Sequence, residues 1–189
     1  TDMFCHWNYV LEGIIGTVRS VNATTVTHIP TRWDETGAEY TATADDAAYG
    51  IFELETPAGD PVVGQINSSW AVRVYRDELV EFQVDGTHGS AVAGLNRCVA
   101  QQRAHTPKPV WNPDLPVTES FRDQWLEVPA NADLDNGFKA QWEEFLRDVV
   151  AGREHRFGLL SAARGVQLAE LGLRSSAERR TLDVPAISL

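Results

Sequence analysis

Apolar residues recur every three or four positions at the start of the chain, which is the spacing of one face of a helix. The positions that form this stripe are Met3, Trp7, Val10, Leu11 and Ile14. The pattern predicts a helix that ends at Gly16. From Thr17 to Ile29 the chain is rich in valine and threonine, which predicts a strand that Pro30 stops.

Strand-type segments and turns alternate along the middle of the chain. Residues 30–46 are predicted to form a polar loop with a turn near Gly37. Ala47–Glu55 and Val62–Trp70 are predicted to pair as a hairpin, because the sequence TPAGDP between them is typical of a turn. Further strands are predicted at Leu79–Asp85, Ser90–Leu95, Arg97–Arg103 and Phe121–Val128.

Two helices are predicted in the last third of the chain. An apolar stripe over residues 138–150, with Trp142 as a packed member, predicts a helix that ends at Gly152. A second helix is predicted over Ser161–Leu171, with Gly172 as the first residue beyond it.

The order of helix, grouped strands and two helices indicates an α+β fold. We expect one domain over residues 1–189, built as a large, open, mainly antiparallel sheet with helices packed on one face. Strands such as Leu79–Asp85 would then expose the other face of the sheet. An apolar face of that size is normally buried by a partner, so the pattern predicts a homo-oligomer.

The charge of the chain excludes some classes of partner. Sixteen Lys and Arg residues against 27 Asp and Glu residues give a net charge of −11. This charge repels phosphate backbones and anionic lipids, so we expect neither a nucleic-acid nor a membrane partner. No signal peptide and no membrane-spanning apolar run is visible in the sequence. Cys5 and Cys98 are expected to be reduced thiols, which favours the cytoplasm.

Asp2 and His6 are the first candidates for chemistry. A spacing of four residues places the carboxylate and the imidazole on one helix face. A neutral histidine can accept a proton from an alcohol, and a nearby carboxylate stabilises the imidazolium that forms. This pairing suits oxidation of a hydroxyl to a ketone. The alternative is that Asp2 caps the helix and His6 is an ordinary helix residue.

A second candidate is the polar loop that contains His28, Arg32 and Trp33, with Asp34 and Tyr40 nearby. Aromatic faces and hydrogen-bonding groups together are typical of sugar sites. The alternative is a solvated loop with one tucked tryptophan.

Several common sites are missing from the sequence. No two glycines are spaced as G-x-G, and there is no P-loop, so the chain offers no visible dinucleotide cradle. No serine lies in a G-x-S-x-G motif. The histidines are too scattered for a zinc site, and we expect no metal.

Four segments, in order, resemble the C-terminal domain of Gfo/Idh/MocA oxidoreductases. This family is named for glucose–fructose oxidoreductase, inositol dehydrogenase and a rhizopine-catabolism protein. The matching segments are DMFCHWNYVL at Asp2–Leu11, TADDAA at residues 43–48 followed by Phe52, DGTHGS at residues 85–90, and SSAERR at residues 175–180, in which Arg179 replaces the usual glycine.

The resemblance implies a fold, an activity and an arrangement of domains. Full-length members join a Rossmann domain that binds NAD or NADP to a domain like the C-terminal one of glyceraldehyde-3-phosphate dehydrogenase. That second domain binds substrate and forms dimers or tetramers through its sheet face. The chain is then expected to lack the Rossmann domain, to bind no cofactor and to be inactive alone. As part of a full-length enzyme it would oxidise a CH–OH group of a sugar, sugar derivative or polyol.

The resemblance also assigns roles to residues. His6 would take the hydroxyl proton, and Asp2 would adjust the basicity of the His6 ring. The family's third catalytic residue, a lysine in an E-K-P motif, would precede Thr1. Tyr9 lies where some members have an acidic residue, and we expect it to contact substrate with His28, Arg32 and Trp33. Two alternatives are a non-catalytic sugar-binding or assembly module and an NAD-dependent glycosidase of the same family.

Overall fold

The structure is a computed structural model that describes residues 1–130 and 136–187. Two compact units are present, and each is described by itself. The first unit contains Thr1–Arg73 and Glu143–Leu189, and the second contains Val74–Trp142.

The elements follow one another in the order helix, strands, helices, as the sequence predicts. They are α1 (Asp2–Ile14), β1 (Thr17–Val26), β2 (Thr31–Trp33), β3 (Glu39–Thr41), β4 (Ala47–Glu55), β5 (Pro61–Ser69), β6 (Phe82–Gly86), β7 (Gly89–Ala93), β8 (Cys98–Gln102), β9 (Leu126–Glu127), α2 (Gly137–Ala151), α3 (Leu159–Glu178) and β10 (Leu182–Asp183). None of the helices that the structure describes is long and apolar enough to cross a membrane.

The first unit is built on an antiparallel sheet with the strand order β10-β1-β4-β5. In β4 every second side chain faces the core, as the sequence predicts: Phe52 and Leu54 are buried, whereas Tyr49 and Ile51 are exposed. Helices α1 and α3 contact each other and β1. The buried residues that hold these layers together include Phe4, Val21, Phe52 and Leu168.

Helix α3 is almost twice as long as predicted, because Gly172 does not end it. A Cβ at Gly172 would lie 2.7 Å from Cδ2 of the Phe4 ring, and a Cβ at Gly165 would lie 3.2 Å from the Cys5 carbonyl oxygen. Both glycines are buried inside the helix and let α1 pack closely. The helix ends instead at Arg179, which takes the left-handed conformation with a φ of 54°.

Serine hydroxyls from α3 complete the hydrogen bonding of β1. The short strand β10 pairs with β1 only at Ser20 and Val21. Beyond that point the backbone N–H of Ala23 donates to Ser175 Oγ at 2.9 Å. The N–H of Thr25 likewise donates to Ser176 Oγ at 2.9 Å. Buried backbone donors need such partners, so the helix takes the place of a strand at this edge.

The second unit contains an antiparallel sheet with the strand order β6-β7-β8-β9. The predicted strand over Leu79–Asp85 begins later, at Phe82. The predicted strand over Phe121–Val128 is mostly a 3₁₀ helix over Phe121–Gln124, and only Leu126 and Glu127 pair with β8.

Helix α2 forms where its stripe predicts, but it contributes no buried residue. Trp142, predicted to pack, is 64% exposed. The α+β class with antiparallel sheets is confirmed. The described residues form three separate sheets: one four-stranded sheet in each unit and the two-stranded β2–β3 hairpin in the polar loop around Gly37.

Candidate active site

Asp2 and His6 lie one turn apart on the same face of α1. His6 Nε2 is 3.7 Å from Asp2 Oδ2, and their side chains are 61% and 82% exposed, respectively. This distance is too long for a hydrogen bond, so the contact is ionic when the imidazole is protonated. Thr1, not Asp2, is the N-cap residue, and it makes no capping hydrogen bond with its side chain. The carboxylate and the imidazole therefore form an open pair on the protein surface.

Two consecutive aspartates tie the start of α1 to the polar loop. Asp45 accepts a hydrogen bond from the Thr1 hydroxyl at 2.8 Å. A small cavity of about 90 Å³ lies at this contact and is lined by Asp2, Asp45 and Trp70, among others. The neighbouring residue, Asp46, faces the loop instead. Helix α1 and the loop candidates are thus anchored one residue apart at the beginning of β4.

Asp46 organises the loop that contains His28 and Arg32. Its two carboxylate oxygens accept hydrogen bonds from the backbone N–H groups of His28 and Ile29, each at 2.8 Å. The Arg32 guanidinium lies 3.3 Å from Asp46 Oδ2. These donors, with the His28 N–H first, hold the pKa of the buried Asp46 carboxyl below its ordinary value. The sequence analysis included Asp46 only in the TADDAA motif and did not predict that it holds the loop in place.

The predicted substrate residues fall into separate groups. His28 and Arg32 belong to the loop that Asp46 holds. Trp33 is in β2 with its side chain 63% exposed. Tyr9 follows His6 by three residues on α1, and its ring meets Phe157 edge to face with centroids 5.4 Å apart. The structure therefore places Tyr9 on α1, His28 between β1 and β2, and Arg32 with Trp33 in β2, and their joint role in binding stays a prediction.

A charged and aromatic cluster behind Tyr9 was not predicted. His155 Nδ1 lies 2.9 Å from Asp148 Oδ2, and both side chains are largely buried. The His155 ring also contacts Phe157 edge to face at 5.8 Å. The hydrogen bond from His155, followed by that from Arg153, lowers the pKa of the Asp148 carboxyl. In the sequence, only the positions of Asp148 before Gly152 and of His155 after it indicated this cluster.

This cluster also contains three groups of the kind that bind metals. Ligand atoms of Glu144, Asp148 and His155 lie within 4.8 Å of one another. Both carboxylates already face guanidinium groups, Asp148 that of Arg153 at 2.9 Å and Glu144 that of Arg156 at 3.1 Å. A cation would have to displace two arginines, so we interpret the cluster as a support for the Phe157 ring.

Cys5, next to His6, has little character of a nucleophile. Burial, followed by the charge of Asp2, raises the pKa of its thiol. The thiol therefore stays protonated at neutral pH.

Comparisons with known proteins add a relative and a set of structural neighbours. No family model matches the chain. Over 189 residues it is 88% identical to D-xylose dehydrogenase from Paenarthrobacter nicotinovorans, and it covers 49% of that protein. Levoglucosan dehydrogenase, solved in complex with NADH and L-sorbose, superposes with a TM-score of 0.75 at 18% identity, over 100% of this chain and 51% of its own. An NAD binding oxidoreductase from Klebsiella pneumoniae superposes with a TM-score of 0.70 at 14% identity, over 96% and 49%.

The chain is similar in sequence to half of a sugar dehydrogenase and in fold to half of an NAD binding oxidoreductase. The resemblance to oxidoreductases that its motifs predicted is confirmed at this level. The chain spans about half the length of the curated relative that it matches. The D-x-x-x-H pair lies on an exposed face of the first helix.

Proposed function

We propose that this chain is the substrate-binding half of an NAD(P)-dependent sugar dehydrogenase, with D-xylose as the first substrate to test. The observation that carries the proposal is its 88% identity, over the whole chain, to D-xylose dehydrogenase. The open Asp2–His6 pair supports it, because oxidation of a hydroxyl needs a base that the substrate can reach.

His6 acts as the general base in this proposal. Its Nε2 is not hydrogen-bonded to Asp2 across their 3.7 Å separation, so this nitrogen can take the substrate hydroxyl proton. The imidazolium that forms then faces the Asp2 carboxylate, which stabilises it and raises the basicity of the ring. Tyr9, one turn further along α1, offers the substrate an aromatic surface that Phe157 supports from behind.

The second substrate-binding group comes from the loop. The Arg32 side chain is only partly buried and hydrogen-bonds the Ile29 carbonyl oxygen through Nε at 3.1 Å. The guanidinium also contacts Asp46 through Nη2. Its other N–H groups, the His28 ring and the exposed Trp33 face can meet sugar hydroxyls and C–H faces. Asp46 fixes the backbone from which His28 projects.

NAD or NADP belongs to the other half of the protein in this proposal. The chain lacks a glycine-rich dinucleotide loop, whereas its histidine and aspartate fit the proton-accepting side of a dehydrogenase site. When bound, the nicotinamide would accept the hydride that leaves the substrate carbon. We further propose an N-terminal Rossmann domain, a cytoplasmic location and a dimer or tetramer assembled through the sheet face. The unpaired cysteines Cys5 and Cys98 are compatible with a reducing compartment.

The decisive experiment replaces the base in the full-length protein. His6→Ala is expected to lower kcat/KM for D-xylose about 10²–10⁴-fold, since the variant loses general-base catalysis. Steady-state production of NADH or NADPH measures the effect. Asp2→Asn is expected to lose less, because it removes only the stabilising charge.

His105→Ala is the control, because His105 is an exposed histidine in the second unit and should leave turnover unchanged. Full activity of His6→Ala contradicts the assignment of the base. Release of an aglycone from a glycoside, without net oxidation of the sugar, identifies a glycosidase instead. An absence of both activities in the wild-type protein favours the non-catalytic module.

A further inference from the structure

A network of charged and aromatic side chains closes the turn between α2 and α3, and its members belong to the first unit. Asp148 lies in the last turn of α2 and contacts the segment that follows Gly152. Its Oδ2 is 2.9 Å from His155 Nδ1. Its Oδ1 accepts hydrogen bonds from Nε and Nη2 of Arg153 at 3.2 Å and 2.9 Å. Both oxygens of one carboxylate therefore bind the segment after α2.

The position of Asp148 is unfavourable for a carboxylate without such partners. The last turn of a helix carries a partial negative charge, which disfavours an acidic side chain there. The side chains of Asp148 and His155 are each only 14% exposed, so water solvates them poorly. Because the pKa of Asp148 is lowered by these hydrogen bonds, the group is ionised at neutral pH and can only accept. His155 therefore donates through Nδ1, and this bond fixes the orientation of the imidazole ring.

The oriented His155 ring is the start of a series of ring contacts that leads to α1. Its centroid is 5.8 Å from that of Phe157, and the two rings meet edge to face. The Phe157 ring in turn meets Tyr9 edge to face at 5.4 Å. Contacts of this geometry are attractive. The guanidinium carbon of Arg156 also lies 4.3 Å from the centre of the Phe157 ring, which is close enough for a cation–π contact. These contacts hold Phe157 although it is 37% exposed.

Tyr9 connects this network with the proposed active site. It follows His6 by three residues on α1, and side chains at this spacing are neighbours on the surface of a helix. A ring that contacts a ligand contributes more to affinity when its position is fixed before binding, because less side-chain freedom is then lost. The network supplies such a fixed position from the side of Tyr9 that meets Phe157.

We infer that His155 and Asp148 are positioning residues, which hold the Tyr9 ring through Phe157 in the place where it contacts the sugar. The contact with sugar rests on the proposed function, whereas the hold on Tyr9 is a property of the chain itself. Both residues act through Phe157, so they affect the binding of substrate and not the transfer of its proton. Loss of one aromatic contact of this kind corresponds to about a two- to tenfold change in affinity.

His155→Leu in the full-length protein removes the hydrogen bond and the ring contact together. We expect KM for D-xylose to rise about two- to tenfold and kcat to change less than about twofold, because a loss of uniform binding leaves kcat unchanged. Phe157→Leu should have the same effect, whereas Phe157→Tyr keeps an aromatic ring and should keep KM near the wild-type value. Arg147→Gln is the matched control, since it removes an exposed ion pair with Glu143 from the same helix and should change neither constant.

A double-mutant cycle tests whether His155 acts through Tyr9. Tyr9→Leu alone should raise KM, and His155→Leu should raise it no further in that background, because the ring that it positions is already absent. Effects on KM that multiply would show that the two residues act independently and would overturn the inference. An unchanged KM in His155→Leu, or a fall in kcat at constant KM, would overturn it as well. If His155→Leu does not fold, as judged by circular dichroism, Phe157→Leu at its half-exposed position provides the same cycle.

Fluorine NMR of the full-length protein labelled with fluorotyrosine separates this inference from the proposed function, because it requires no turnover. The resonance that is missing in Tyr9→Phe belongs to Tyr9. It should shift or broaden in His155→Leu and Phe157→Leu, but not in Arg147→Gln. A Tyr9 resonance that is the same in all three variants contradicts the hold on Tyr9. If the resonance responds as expected but the wild-type protein does not oxidise D-xylose, the hold on Tyr9 is supported and the proposed function is wrong.

Discussion

At the scale of single residues, two glycines inside α3 determine how closely the helices pack. Gly172 leaves room for the Phe4 ring, and Gly165 leaves room for the Cys5 backbone. Phe4 is completely buried and also meets Phe52 edge to face at 5.4 Å. Helix α1, which carries Asp2 and His6, can therefore pack closely on α3 only because α3 has glycines, which lack a side chain, at these two positions.

Gly172→Ala tests this packing. Alanine favours a helix over glycine by about 1 kcal/mol, but its Cβ would lie within 2.7 Å of the Phe4 ring. Because that ring is enclosed by the core, we expect overpacking to prevail and to lower the free energy of unfolding by about 1–3 kcal/mol. Urea denaturation followed by circular dichroism measures the change.

The control for this prediction is Gly13→Ala, near the end of α1. A Cβ there meets nothing within 4 Å, so only the gain in helix propensity remains. Gly13→Ala should be neutral or more stable than the wild-type protein. If Gly172→Ala were as stable as the wild-type protein, α1 would be able to move away from α3 without a loss in the free energy of unfolding.

At the scale of elements, the beginning of β4 holds two other segments in place. Asp45 contacts Thr1 at the start of α1, and Asp46 binds the backbone at His28 and Ile29 after β1. Both carboxylates therefore act on backbone segments that carry candidate site residues. The β-strand itself supplies the rigid support, since it pairs along its whole length with β1 and β5.

Asp46→Asn tests how the loop is held and how its stability depends on pH. The folded-state pKa of Asp46 is lower than its ordinary value of about 3.9, so the carboxylate stabilises the fold fully above that value. This contribution is lost as the pH falls through the lower folded-state pKa. Asparagine cannot accept from both backbone N–H groups, so the variant should be less stable than the wild-type protein at neutral pH.

The difference in the free energy of unfolding between Asp46→Asn and the wild-type protein should shrink as the solution is acidified below the ordinary Asp pKa. Urea titrations at a series of pH values measure it. Asp114→Asn, on an exposed loop of the second unit, should show no such trend. A difference that is constant over the whole pH range would contradict the role of the charge.

At the scale of the whole molecule, one face of the first unit's sheet is uncovered. Ile51 of β4 and Val63 of β5 are 55% and 75% exposed, and Tyr49 lies on the same face. Helices α1 and α3 cover the opposite face. Exposed apolar side chains on one face of a sheet are a suitable contact for a second copy of the chain.

Ile51→Lys tests the proposed homo-oligomer. Charges at the centre of such an interface would have to be desolvated, so the variant should dissociate at concentrations at which the wild-type protein is a dimer or tetramer. Analytical ultracentrifugation of the full-length protein gives the mass. Ile51→Val, which keeps the surface apolar, should assemble normally. An unchanged mass for Ile51→Lys would place any interface elsewhere.

Local patterns alone determined much of this protein. Local sequence patterns located α1, α2, β1, β4 and β5, but not β10. In β4 the buried and exposed side chains follow the two-residue repeat of a strand, whereas α2 buries none of its residues. Four motifs in order predicted the type of domain. The spacing of Asp2 and His6 placed them on one helix face, because that geometry depends only on the helix itself.

Contacts between distant segments decided what the patterns could not. Gly172 looks like the end of a helix in the sequence, but the Phe4 ring packed against it makes it part of the helix interior. The pairing of β10 with β1, and the hydrogen bond from the His28 N–H to Asp46, likewise join segments that are separated in the chain. A cavity next to Asn8 exists only because α1, α3 and the segment after β10 meet around it. Local periodicity specifies helices and strands. How these pack against one another depends on side chains contributed by several distant segments together.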